Sequence, residues 1–193
     1  VELLADSDVD AVYVSLPNSL HAEWIVKSAR AGKHVLCEKP LVISLEEFDA
    51  VEAAARDFKV VVFEAFANLH HPSIRQALEM VESGVLGALQ FINGWGYFTL
   101  PPEDLDNIRL KPELGGGSLW DIGVYPVSLA ITVAGVGAPV EVWGSQITGD
   151  TGVDIAFAGQ MRFANDVTAQ ISSGICSSPH TGLVIVGGEG TLE

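Results

Sequence analysis

Three short apolar runs, each closed by turn residues and separated by helix-patterned stretches, occupy the first part of this chain and leave few folds open. Asp10–Leu16 stops at Pro17-Asn18, Val35–Cys37 at Glu38-Lys39-Pro40, and Val60–Phe63 at Glu64. Between the first two runs, Ala22, Ile25, Val26 and Ala29 recur at helical spacing within Leu20–Ala31, and Gly32 supplies a stop. Between the second and third, Ser44 with Glu47 three positions on predicts a capping box and a helix reaching Arg56. Strands this short and apolar, alternating with helices, pack as a parallel sheet with right-handed crossovers, buried on both faces.

The rhythm changes near residue 70, where a second domain is expected to begin. His71–Ser83 reads as one amphipathic helix stopped by Gly84. Longer strands follow at Leu89–Thr99, Val140–Thr148, Asp154–Phe163, Val167–Ile175 and Gly182–Val186, with a hairpin turn over Phe163–Val167. Successive hairpin-like strands imply an antiparallel or mixed sheet. Gly115-Gly116-Gly117, directly before an apolar helix, is expected to permit close backbone approach to a ligand or a strand.

Charge removes whole classes of function. With 25 acidic and 10 basic residues the formal charge is −15, whereas phosphate recognition depends on basic clusters that release counterions. Hydrophobic residues reach 48%, ample for a core, so disorder is excluded. Ile122–Val140 carries no charge, but its interspersed glycines and prolines favour a core helix with flanking turns over a membrane span. Cys37 and Cys176 form no CxxC or zinc spacing and are expected to be reduced thiols, which suits a cytoplasm. The opening Val1–Ala5 reads as the end of a helix, and Gly187–Glu193 as a turn entering an unfinished strand. The sequence is therefore read as an internal piece of a longer one.

Few side chains are placed for chemistry. Lys39 follows a predicted parallel strand at its carboxyl end, where open α/β sheets bind ligands, and a cis bond to Pro40 would aim it into the crevice. Beside another positive charge such a lysine would exchange protons near neutral pH; alternatively, Glu38 and Lys39 form a solvated turn. Asp121 and Tyr125, four apart after the glycines, share a helix face, so the carboxylate can tune a phenol that donates a proton to an alkoxide. The other reading makes Asp121 a helix-dipole partner and Tyr125 core. Pro126 predicts a kink there. Arg109 is either a surface ion pair or an anion clamp. Trp95, Trp120 and Trp143 either stack on a sugar or pack in core and interface. His70-His71 are adjacent, so they cannot face one metal from a helix, and no metal site is expected.

Leu16-Pro17-Asn18 with His21, then Glu38-Lys39-Pro40, then GGGSLWDIGVYP from Gly115 to Pro126, occur in one order. In that order they resemble the glucose-fructose oxidoreductase, inositol dehydrogenase and MocA family of NAD(P)-dependent oxidoreductases. The resemblance implies an α/β chain: the second half of a Rossmann dinucleotide-binding domain over residues 1–69, its first three strands missing, then over 70–193 a truncated α/β substrate and oligomerisation domain with an open, mostly antiparallel sheet. It implies Lys39, Asp121 and Tyr125 as catalytic residues. Ser15, Leu16, Pro17, Asn18, His21, Glu38, Lys39, Pro40 and Arg109 are implied to border the cofactor.

Tyr125 stands where many members carry His, as in the branch of dihydrodiol dehydrogenases, NADP-dependent xylose dehydrogenases and glucose-fructose oxidoreductase, which favours NADP over NAD. The glycine-rich phosphate loop is absent from these residues, and Ala67-Asn68-Leu69 replaces a Met-Tyr-Arg-like stretch. The implied activity is hydride transfer between a nicotinamide and a CH–OH carbon of a sugar or cyclic diol, in a homo-oligomer formed through the second sheet, with neither nucleic acid nor membrane as partner; these residues alone are expected to be inactive. A sugar- or nucleotide-sensing relative without turnover is the alternative, though it has no need of Lys39, Asp121 and Tyr125 together. The expected compartment is the cytoplasm, with the periplasm left open.

Overall fold

The computed structural model describes residues 2–101, 104 and 106–193; Val1, read above as part of the opening helix, lies outside them. The chain divides into two compact units, Val1–Phe66 with Glu113–Gly116, and Ala67–Pro112 with Gly117–Glu193. The assignment of Glu113–Gly116 to the first unit departs from the expected 70–193 domain. Its cause is local: Asn18 Nδ2 donates to the Gly115 carbonyl at 2.8 Å, and a Cβ at Gly115 would lie only 2.9 Å from that of Asn18.

In the first unit, after a short helix α1 (Glu2–Ala5), strands β1 (Ala11–Val14), β2 (His34–Cys37) and β3 (Val62–Glu64) alternate with helices α2 (His21–Arg30) and α3 (Leu45–Phe58). The strands are parallel in the order β1-β2-β3. Val12, Val14, Val35 and Cys37 point to one face and form a core with Ala22 and Ile25 of α2 and Val51 of α3. Burial on both faces, expected from the apolar runs, is not observed: Tyr13, Leu36 and Phe63 are exposed, because α2 and α3 contribute to a core on the other side. Helix α3 starts as its sequence predicts, with the Glu47 amide donating to Ser44 Oγ at 3.2 Å. The return arm lands one residue earlier, Glu47 Oε2 accepting from the Ile43 amide at 2.9 Å.

The second unit opens with helix α4 (Pro72–Glu82), whose first turn His71 caps by accepting from the Ser73 amide. Its sheet runs β5-β6-β7-β4-β8-β9, comprising β4 (Leu89–Thr99), β5 (Glu141–Thr148), β6 (Asp154–Arg162), β7 (Thr168–Gly174), β8 (Cys176–Gly187) and β9 (Thr191–Leu192). Only the β4–β7 pair is parallel. Helix α5 (Val124–Ala134) lies across β4, and its Ala130, Val133 and Ala134 are buried with Ile92, Met161, Phe163, Ile171 and Ile185. Gly94 and Gly96 allow this approach, since a Cβ at either would meet Pro126 or Ile122 inside 3.0 Å. One stretch, Pro112–Ala134, is long and apolar enough to cross a membrane by length and composition; it is also the stretch that supplies this core helix.

Candidate functional site

In the first unit, two loops leave the carboxyl edge of the sheet. Ser15–Asn18 follows β1 and Glu38–Pro40 follows β2, and the Glu38 amide donates to the Val14 carbonyl at 2.9 Å, holding the two exits together. Ser15 and Leu16 are exposed, while Pro17, Asn18, Glu38 and Lys39 are half-buried. The Lys39–Pro40 bond is cis. Glu38 accepts from the Tyr13 hydroxyl, and that bond raises the phenol above its ordinary range.

Beneath these loops lies His21, fully buried. Its Nδ1 is 2.7 Å from the Pro40 carbonyl oxygen and its Nε2 2.7 Å from that of Leu16. Both nitrogens are spent on backbone, so His21 braces the loops on which the residues expected to border the cofactor stand. Glu64, at the end of β3, accepts from the Leu41 amide at 2.7 Å. Burial pushes its carboxyl up, opposed by that amide and by His21.

In the second unit, the single helix expected after the glycines is two structures. Leu119–Gly123 forms a π turn, and α5 begins at Val124. Pro126 lacks an N–H for the α-helical ladder, and the wider turn immediately before it takes the place of the predicted kink. Asp121 lies in the π turn and Tyr125 in the first turn of α5. Arg109 Nε reaches Asp121 Oδ2 at 2.6 Å, and its guanidinium lies 5.8 Å from the Phe98 ring centre. Arg109 thus forms an ion pair with Asp121. The short turn carrying Arg109 is fixed at both sides, by Asn107 Oδ1 accepting from its amide at 3.0 Å and by the Gly117 amide donating to its carbonyl at 2.9 Å.

The π turn is clamped from a distant strand. Asp154 Oδ2 accepts from Ser118 Oγ at 2.5 Å and from the Leu119 amide at 2.8 Å. Ser118 Oγ also meets Ser173 Oγ at 2.9 Å. A Cβ at Gly117 would lie 2.2 Å from Asp154 Oδ1, and Gly117 has φ of 114°, so this glycine provides the close approach read from the triplet. Sequence reasoning did not find Asp154, which is 33 residues from Asp121 and carries no motif.

Tyr125 borders a cavity of about 400 Å³ that Asn68, Ile122, Pro126 and Thr181 also line. Both amide atoms of Asn68 are buried without a hydrogen-bond partner. An unpaired buried amide costs roughly 1–3 kcal/mol per polar group, and Asn68 carries that cost in the wall of the cavity that Tyr125 borders. The sequence signalled Asn68 only as a departure from the resembled pattern. Trp95 also borders the cavity, and its ring crosses Gly182 with its Nε1 likewise unpartnered. Trp120 lies half-buried in the π turn. Trp143 is exposed on β5.

Residues 1–66 match the oxidoreductase family model with an NAD-binding Rossmann fold, and residues 74–193 match the GFO/IDH/MocA C-terminal domain. The chain belongs to the GFO/IDH/MocA oxidoreductase family. It is 42% identical over 172 residues to D-xylose 1-dehydrogenase (NADP(+)) 2 of Haloferax volcanii, covering 89% of this chain and 52% of the relative. It is 41% identical over 175 residues to dTDP-3,4-didehydro-2,6-dideoxy-alpha-D-glucose 3-reductase of Actinomadura kijaniata, covering 90% of this chain and 52% of the relative. Among solved structures, a 3-ketoreductase from Actinomadura kijaniata in complex with NADP and TDP-benzene superposes with a TM-score of 0.87 at 38% identity, over 97% of this chain and 57% of that one. The chain thus spans about half the length of the curated relatives it matches.

Proposed function

We propose that this chain serves an NAD(P)-dependent dehydrogenase or reductase that moves a hydride between the nicotinamide and the CH–OH carbon of a sugar or cyclic diol. The observation that carries the reading is Tyr125 at the border of a cavity that holds an unpaired Asn68 amide, one helical turn from an Asp121 already paired with Arg109.

The donor set fits a nicotinamide cofactor: the exposed Ser15–Leu16 loop and Lys39 sit at the carboxyl edge of a parallel sheet, the edge at which such folds bind nucleotides. Ser15, Leu16, Pro17, Asn18, Lys39 and Pro40 would border it, and when bound it supplies the hydride acceptor or donor. NADP is favoured by the Tyr125 branch and by the NADP named for the two relatives above. Lys39 and Tyr125 act on the hydroxyl proton. Tyr125 Oη gives a proton to the developing alkoxide in reduction and takes it in oxidation, while Asp121, fixed by Arg109, orients the turn that presents it. Asn68 donates and accepts towards substrate hydroxyls.

Assembly through the second sheet is supported by Phe91, Trp143 and Ile147, all exposed and on the face opposite α5. The strong negative charge supports a small-molecule substrate rather than nucleic acid. A reducing compartment such as the cytoplasm suits the two free thiols.

The test is a panel of aldoses, deoxysugars and cyclic diols offered with NADP+ and with NAD+ to the full-length protein. Turnover of a sugar or diol, faster with NADP+, supports the reading; binding of a sugar with no turnover by either cofactor would favour the sensing alternative.

A further inference from the structure

We propose that His21 carries a proton on both ring nitrogens, and that this imidazolium ties the loop after β1 to the loop bearing Lys39, making His21 the positioning residue for that lysine. A neutral imidazole has one N–H and one lone pair. Both neighbours of the His21 ring are backbone carbonyl oxygens, which only accept, and both stand at 2.7 Å, the separation of a charge-assisted N–H···O bond. With either nitrogen bare, a lone pair would face a carbonyl oxygen at that distance, and the ring is fully buried, so no bulk water relieves the clash.

The surroundings supply reasons for and against a buried cation. Against it, His21 is the first residue of α2, where the helix dipole disfavours positive charge. For it, two carbonyl dipoles point at the ring, and the Glu64 carboxyl attracts it when ionised, although burial pushes that carboxyl up. Glu64 is itself fixed by the Leu41 amide, one residue beyond the Pro40 whose carbonyl His21 holds. Glu64, Leu41, Pro40, His21 and Leu16 thus form one connected path across the carboxyl ends of β1, β2 and β3. Lys39 is joined to that path through its peptide bond with Pro40, so its backbone is set from the β1 side as well as by its own strand.

The protonation claim stands on geometry alone; its consequence for Lys39 rests on the oxidoreductase reading above. Full-length protein labelled with 15N in its histidines is examined at neutral pH by long-range 1H–15N correlation, with His21 assigned by the signals that His21→Gln removes or, if that variant does not fold, that Glu64→Gln displaces. Two protonated ring nitrogens on His21 are expected. One protonated and one bare nitrogen overturns the proposal whether or not the protein proves to be an enzyme. On an active protein, His21→Gln is expected to lower kcat on the order of tenfold to 100-fold, the scale of a small misplacement near the chemistry, and to move the limb of the pH profile that depends on Lys39, with cofactor affinity nearly unchanged. An unaltered kcat and profile would overturn the positioning role; failure of wild-type turnover would instead count against the oxidoreductase reading and leave the nitrogen signals to decide the charge.

Discussion

Arg109 and Asp121, twelve residues apart in sequence, form an ion pair with Nε 2.6 Å from Oδ2 on the turn that leads into Tyr125. Asp121 is 16% exposed and Arg109 38%, so solvent screens the pair and its stability contribution is small, about 1 kcal/mol or less. Its effect belongs to geometry. Arg109→Met and Asp121→Asn should each lower kcat, on the order of tenfold, and the double variant should lose little beyond either single one. A double-mutant cycle on kcat/KM measures this coupling; fully additive losses would show that the two residues act independently.

Asn68 should trade stability for function. With both amide atoms buried and unpaired, Asn68→Leu replaces them by apolar atoms of similar volume. A rise in stability of roughly 1–2 kcal/mol is expected in urea titrations, together with a raised KM for the hydroxyl-bearing substrate. A destabilised variant with unchanged KM would mean that the amide is satisfied in solution by something other than substrate.

The candidate residues of the two units differed in how far the sequence exposed them. Lys39 was legible because a short apolar run closed by Glu38-Lys39-Pro40 places it at a strand's carboxyl end from purely local signals. Asp121 and Tyr125 were legible as a pair, but the π turn that carries Asp121 was not, since the clamp on its start by Asp154 comes from another strand. Arg109's partner was likewise set by tertiary packing. The start of β8 at Cys176 rather than Gly182 escaped for a different reason: Ser177–Thr181 carries no apolar alternation, and its strand geometry comes from pairing with β4, where Tyr97 faces His180. His21 stood in a recognisable motif, yet which atoms it would touch depended on two loops meeting in space.

Cys37 should behave as an inert thiol. It is buried, and burial first, then the charges of Glu64 and Glu38, push it from 9.0 up to about 12. A raised value means that the folded state favours the neutral thiol. The associated stability is fully present below pH 9 and is lost as pH climbs from there towards 12. Thiol titration of the native protein at pH 8 should therefore modify the exposed Cys176 and spare Cys37, which reacts only after denaturation. Rapid modification of Cys37 in the native state would contradict its burial.

Tyr125 is the residue on which the proposed chemistry turns, and removing its hydroxyl tests that chemistry with the least disturbance to packing. Single-turnover nicotinamide reduction by the full-length protein and its Tyr125→Phe variant, with cofactor affinity measured in parallel, should show a rate loss on the order of 100-fold or more at a cofactor Kd nearly unchanged, and Lys39→Met should match it. A Tyr125→Phe variant that transfers hydride at the wild-type rate would contradict the assignment of this cavity as the place of reaction.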